Sequence, residues 1–202
     1  MDPTGAVPAA WYPGMEGGHA LADVVFGEVE PGGRLPCTWP TSTTRLPPFR
    51  RFARKVRYGP LHGYRMMEAT GQRPAFWFGH GLGYTATEWS EPRLLSVAAG
   101  ADGGRVAVVE VAVTNPGERQ VLDVVQAYVP EVLGTHPAPL NALRGFARVL
   151  VLPGATTVAR LAVALPDAAD RVLVGRSADP DGLVAVRVPW VAPADESVDS
   201  PS

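Results

Sequence analysis

From Val106 onward the chain is a succession of short β-branched runs, each closed by a turn signal, and few folds accept that rhythm. Val106 to Thr114 is dense in valine and stops at Asn115-Pro116-Gly117, a strong turn. Val121 to Val129 forms the next run, followed by a loop containing Pro137 and Pro139. Arg148 to Leu152 leads into the turn Pro153-Gly154. In Thr156 to Leu165, the odd positions Leu161, Val163 and Leu165 alternate with Arg160 and Ala162, the period of a half-buried strand. Arg171 to Gly175 and Leu183 to Val188 complete the set. Six short strands with no helical period between them predict an antiparallel β-sandwich of immunoglobulin or fibronectin type.

The first 90 residues have a different texture, rich in glycine, proline and aromatics. One helix is expected, from about Glu16 to Phe26. Ala20, Leu21, Val24 and Val25 share a face at helical spacing, Glu16 sits near the positive end of the dipole, and Gly27 suits the C′ position. Pro31-Gly32-Gly33 then turns the chain into an extended piece, Arg34 to Trp39, which Pro36 and Pro40 restrict to an edge or irregular strand. Residues 41–58 read as an exposed loop with a basic cluster, Arg50, Arg51, Arg54, Lys55 and Arg57, best explained as a solvated face. The stretch Phe76 to Tyr84 packs aromatics among glycines, as a buried connector would. The tail from Ala192 is polar and expected to be disordered.

Composition excludes several classes of function. Eighteen basic residues against 20 acidic ones leave a formal charge of −2, so neither a nucleic-acid partner nor an acidic tail is indicated. The single cysteine, Cys37, rules out an intrachain disulfide framework or a cysteine-rich zinc site and is expected to be buried and inert. No apolar run reaches membrane-spanning length, so no membrane partner is expected. Met1-Asp2-Pro3 lacks the basic start of a signal peptide, which gives a cytoplasmic location as the expectation.

Several segments, taken in order, resemble one family. Trp11-Tyr12-Pro13-Gly14-Met15-Glu16-Gly17-Gly18-His19-Ala20-Leu21-Ala22-Asp23-Val24-Val25-Phe26-Gly27 is similar to W-x-P-G-Q-E-G-G-x-A-L-A-D-x-L-F-G of family 3 glycoside hydrolases of the β-glucosidase type. Pro31 to Pro36 resembles the following P-S-G-R-L-P, and Phe78-Gly79-His80-Gly81-Leu82-Gly83-Tyr84-Thr85 resembles F-G-H-G-L-S-Y-T. Tyr58-Gly59 with Gly63-Tyr64-Arg65 resembles Y-x-x-G-Y-R. Further on, Val113-Thr114-Asn115 with Gly117 and Asp123 to Val129 look like V-T-N-x-G and E-V-V-Q-L-Y-V, and Leu140 with Leu143 to Phe146 looks like L-K-x-L-x-G-F. The resemblance extends over about residues 11–176 and covers the C-terminal part of such an enzyme.

That resemblance implies a mainly β fold. A C-terminal fibronectin type III-like antiparallel β-sandwich, residues 88–190, would be preceded by an incomplete α/β segment with one helix, residues 1–87, the remnant of an α/β sandwich domain. Residues 191–202 would be the disordered tail. Between Leu165 and Arg171 only Pro166 to Asp170 intervene, fewer than the family pattern has, so a missing strand or a rearrangement at that edge is expected. An apolar helix face without its parallel sheet is expected to be exposed, and so to be a stability problem.

Retaining glycosidases use two carboxyl groups about 5 Å apart, a nucleophile and an acid/base. The resemblance places both before residue 1, so no catalytic, cofactor-binding or metal-binding residue is expected in this chain, and no cofactor. Glu16 opens a helix, where the dipole accounts for it, Asp23 lies off the apolar helix face, and Glu28, Glu30, Glu68 and Glu88 show no pairing in sequence. His19, His62, His80 and His136 lack metal-ligand spacing, and His80 reads as a hydrogen-bonded structural residue. Tyr12, Trp77 and Trp89 suit buried packing better than sugar stacking. The expectation is therefore the C-terminal portion of a β-glucosidase-like hydrolase, inactive alone, either a gene fragment or a subunit that complements a separate chain carrying the catalytic TIM barrel, with a β-glucoside as substrate only when so complemented. The alternative is a non-catalytic β-sandwich module for interaction or carbohydrate binding.

Overall fold

The computed structural model describes residues 7–47, 52–56, 58–100 and 104–189. The expected tail, the first residues and Arg50, Arg51 and Arg57 of the basic cluster lie outside the described residues. Helices α1 (Gly17–Val25) and α2 (Tyr64–Ala69) belong to the first region, with a 3-10 turn at Thr43–Arg45. Eight strands follow: β1 (Glu88–Trp89), β2 (Arg93–Ala99), β3 (Arg105–Thr114), β4 (Val121–Glu131), β5 (Leu140–Val151), β6 (Thr156–Leu165), β7 (Arg171–Gly175) and β8 (Val184–Arg187).

The strands form two antiparallel sheets packed face to face. In one, β3 is central, with β6 along one side and β1 and β2 along the other. The second runs β5-β4-β7-β8. Period-two alternation puts Val109, Val111 and Val113 of β3 into the interface, against Val125, Ala127 and Val129 of β4 and Leu161 and Val163 of β6. These eight side chains are essentially solvent-free, so the sandwich closes its core from its own residues. The expected antiparallel β-sandwich is thereby realised as two four-stranded sheets.

Asn115 ties two turns at one end of this core. Its side chain donates to the carbonyls of Arg119 (2.6 Å) and Val151 (3.0 Å) and accepts from Gly117 N–H (3.0 Å). Its backbone exchanges bonds with Gly154 and Ala155 of the β5–β6 turn. Near Leu165, where a missing strand or a rearrangement is expected, the chain makes a short crossing between sheets. Pro166 to Asp170 cross from β6 in one sheet to β7 in the other, and Arg105 holds that short crossing by donating to the carbonyls of Asp167 and Ala169, both at 3.2 Å.

Three further corrections concern elements. β2 was absent from the expected strands because Leu94 and Leu95 break the alternation, and a bulge between Leu94 and Ser96 marks the place. β5 begins at Leu140, eight residues earlier than Arg148. α2 is a second helix, six residues long and so too short to show a period. The extended piece Arg34 to Trp39 makes only one bridge, Trp39 to Phe76.

The α1 expectation holds closely. Gly17 packs against the Pro13 ring, and Gly27, at φ 78°, takes the left-handed C′ position, its N–H reaching Val24 O at 3.0 Å. Parts of the first region also cover the outer face of the second sheet. Gly79 lies against Gln126, whose amide donates to Gly79 O (3.4 Å) and Arg176 O (2.7 Å). Tyr64 packs on Phe78 and Tyr128, and Tyr128 donates to Gln126 Oε1 at 2.6 Å. This second layer explains why β4 is buried on both faces.

Candidate functional site

Two features stand out, an exposed apolar face and a buried charge cluster. The face is concentrated between Trp11 and Val29. Tyr12 is 99% exposed, Met15 101% and Phe26 81%, and Leu21 and Val25 of α1 are exposed as well. Leu82 and Tyr84 add to it, and the Tyr84 hydroxyl donates to Val24 O at the end of α1. An amphipathic helix is ordinarily covered on its apolar stripe, and here Gly17 alone among the α1 residues is buried. The expected exposed helix face is thus present.

The charge cluster centres on Asp123 of β4, whose side chain is 1% exposed. Arg34 donates to Oδ1 at 2.6 Å, while Arg176 (2.8 Å), the Trp89 indole (2.9 Å) and the Thr87 hydroxyl donate to Oδ2. Its own neighbour Val124 donates N–H to Oδ1 at 2.8 Å. Arg176 also lies over the Trp89 ring, 4.1 Å from its centroid, and donates to Thr87 O at 2.7 Å. Burial alone would raise the Asp123 pKa. The hydrogen bonds from Thr87 and Trp89, the Arg176 charge and the Val124 N–H outweigh it and hold the group at about 2, below the ordinary 3.8.

A carboxylate satisfied by five donors is held in its charged form and has no proton to give at neutral pH. Among the described residues, the carboxylates singled out from the sequence are paired or solvated. Glu30 accepts Thr85 N–H at 3.0 Å. Glu68, raised by burial and partly restored by the Asn141 N–H (3.0 Å), anchors α2 to β5. Glu110 of β3 lies between Arg93 of β2 and Arg160 of β6. Glu16 pairs with His19 at 2.9 Å in solvent, and Asp23, Glu28 and Glu88 are exposed.

The histidines and aromatics can be placed as well. The His62 ring bonds Gly59 O at 2.8 Å, and His136 Nδ1 lies 2.7 Å from Ala138 O. His80 uses its backbone, accepting from Leu35 N–H at 2.8 Å, while its ring stacks on Phe76 at 5.1 Å; burial and then Arg34 lower its pKa. Trp89 packs against the core as expected, Trp77 is half-buried, and Tyr12 is wholly exposed instead of buried. Cys37 is exposed too, contrary to expectation, because the Pro31–Pro40 stretch carries it on an uncovered side. Among the described residues no group of three His, Cys, Asp or Glu side chains could hold a metal ion, and no helix is long and apolar enough to cross a membrane.

Asp123 and its partners escaped sequence reasoning. The available signal was one acidic residue inside the apolar run Val121 to Val129, but its partners at 34, 87, 89 and 176 lie too far apart for spacing to group them.

Comparison with known proteins gives this geometry a context. Residues 2–84 match the glycosyl hydrolase family 3 C-terminal domain. A β-glucosidase of Rhizobium radiobacter is 42% identical over 173 residues, 81% of this chain and 21% of its own. A xylan 1,4-β-xylosidase of Xylanibacter ruminicola is 37% identical over 156 residues, 77% of this chain and 16% of its own. The solved structure of a β-glucosidase from Paenibacillus barengoltzii superposes with a TM-score of 0.69 at 28% identity, over 85% of this chain and 21% of that one. The chain thus spans about a fifth of the length of the curated relatives it matches.

Proposed function

We propose, for a chain that belongs over residues 2–84 to the C-terminal domain of glycosyl hydrolase family 3, that it serves as the non-catalytic C-terminal portion of a β-glucosidase-like enzyme. It supplies neither the nucleophile nor the acid/base for O-glycosyl bond hydrolysis. Its task is to dock against a catalytic TIM barrel region, on a separate polypeptide in the split-enzyme form of this reading, and complete that enzyme's architecture.

One observation carries the reading: the contrast between two apolar surfaces. The sandwich buries its core valines, among them Val109, Val111, Val125 and Val163, completely, while the α1 side leaves Tyr12, Met15 and Phe26 in solvent. Large apolar side chains gathered on one element are the mark of an interaction surface. The β-xylosidase among the relatives leaves the choice of sugar to the catalytic region.

The purified chain is assayed on aryl β-glucosides, alone and with a separately expressed barrel region of a family 3 β-glucosidase. No hydrolysis alone and a complex with the barrel region are expected, and the double variant Tyr12→Ser/Phe26→Ser should lose the complex while keeping its fold. Hydrolysis by the lone chain would sink the non-catalytic role, and failure to form any complex would sink the docking role. Tyr12, fully exposed beside the partly exposed Trp11, favours one second reading, a carbohydrate-binding module. Calorimetry against an oligosaccharide panel decides it, since absence of heat with every sugar removes it.

A further inference from the structure

The connector between the first region and the sandwich grips both of them through successive side chains. The Tyr84 hydroxyl holds the last turn of α1 through Val24 O. The next residue, Thr85, donates its N–H to Glu30, in the loop that follows α1, at 3.0 Å. Two residues on, Thr87 reaches Asp123, and so does Trp89 at 2.9 Å. Arg176, leaving β7, clamps the same place from the other side by bonding both the Thr87 hydroxyl (2.9 Å) and the Thr87 carbonyl (2.7 Å). Arg34 closes the circuit: it arrives at Asp123 from the loop whose neighbour Leu35 exchanges backbone bonds with Gly79 and His80, each at 2.8 Å.

We infer that residues 84–89, locked on Asp123, form a joint that fixes α1 relative to the sandwich, so that the sandwich sets the pose of the apolar docking face. The inference rests on the docking reading for its purpose and not for its mechanics. On Asp123 the first region (Arg34), the connector (Thr87, Trp89) and the sandwich (Arg176) converge. Neutralising it leaves two guanidinium groups facing an amide, which can satisfy neither as a charge. Arg176 is 45% exposed and can turn to water, but Arg34 is only 15% exposed, so relief comes by releasing the Arg34 loop. That loop leads through Pro31 and Glu30 directly to α1.

Amide hydrogen exchange on the full chain tests this. In Asp123→Asn, protection at the Thr85, Leu35 and Gly79 amides should fall by about tenfold to a hundredfold more than protection at Val111 and Val163 in the core strands. Thr87→Val keeps every charge, removes one donor, and should give a smaller fall at the same amides. If Asp123→Asn does not fold, Thr87→Val alone decides. An equal fall at joint and core amides would show a merely global structural role and overturn the inference, as would unchanged joint amides. The measurement needs no partner: a chain that shows the local fall yet binds no barrel region keeps the joint and loses the docking reading.

Discussion

Acid titration of stability should single out Asp123. Its carboxyl is depressed from an ordinary 3.8 to about 2 in the folded chain. A depressed carboxylate stabilises the fold above its unfolded pKa and loses that contribution as pH falls through its folded pKa. The gain attached to Asp123 is therefore fully present above about pH 5, declines below about 4, and is gone below about 2. The displacement corresponds to about 2 kcal/mol, at roughly 1.4 kcal/mol per pKa unit. The group is 99% buried by side-chain area, so solvent screening removes little of that figure. Urea unfolding of the wild type and of Asp123→Asn, across pH 7 to 2, isolates it. Other titrating groups, such as Glu68 with its raised pKa, are common to both proteins and cancel in the difference. The asparagine variant should be less stable by about 2–3 kcal/mol at pH 7, the charge term plus poorly matched donors. Below pH 4 the two curves should converge. A difference that stays constant from pH 7 to pH 2 would refute the charge argument and leave only a shape effect of the substitution.

Two further perturbations test the packing. Val163→Ala removes two buried methyl groups from the β6 side of the core, at a site with no measurable exposure. It should cost about 2–3 kcal/mol in urea unfolding, with an unchanged slope against denaturant. Gly79→Ala combines a left-handed backbone (φ 79°) with a methyl group driven into the Gln126 side chain, whereas Gly14→Ala has a similar φ of 75° and open space around it. Gly14→Ala should cost about 1 kcal/mol and Gly79→Ala clearly more, so equal melting temperatures for the two would show that Gln126 yields freely.

The sandwich was legible because its physics is local. Val109, Val111 and Val113 alternate on their own strand, and a turn such as Asn115-Pro116-Gly117 is written in consecutive residues. Where alternation fails, as at Leu94-Leu95, the strand survives as a bulged edge that no period betrays. α1 was legible for the same reason, down to Gly27 at its C′ position. The joint was not, because Arg34, Thr87, Asp123 and Arg176 meet only after both sheets exist. Long-range ion pairs carry no periodic signature, and one aspartate in a strand reads as solvent-facing until its partners are known.

A physical consequence follows for where this chain divides. The sequence texture changes near residue 88, which suggests two independent bodies. Yet Tyr64, Phe78 and Gly79 complete the outer face of the second sheet, and Gln126 and Tyr128 of β4 are buried only because they are there. Removing residues 7–87 would expose those polar groups and leave Asp123 without Arg34. The energetic boundary therefore runs inside the first region. The part from about Glu30 to Thr85 shares a layer with the sandwich, while Tyr12, Met15 and Phe26 stand in solvent. A chain built this way holds its outer helix by a few hydrogen bonds on one side and leaves the other side open. On the docking reading proposed above, that arrangement presents α1 in a defined pose and leaves the free energy of covering it to another surface.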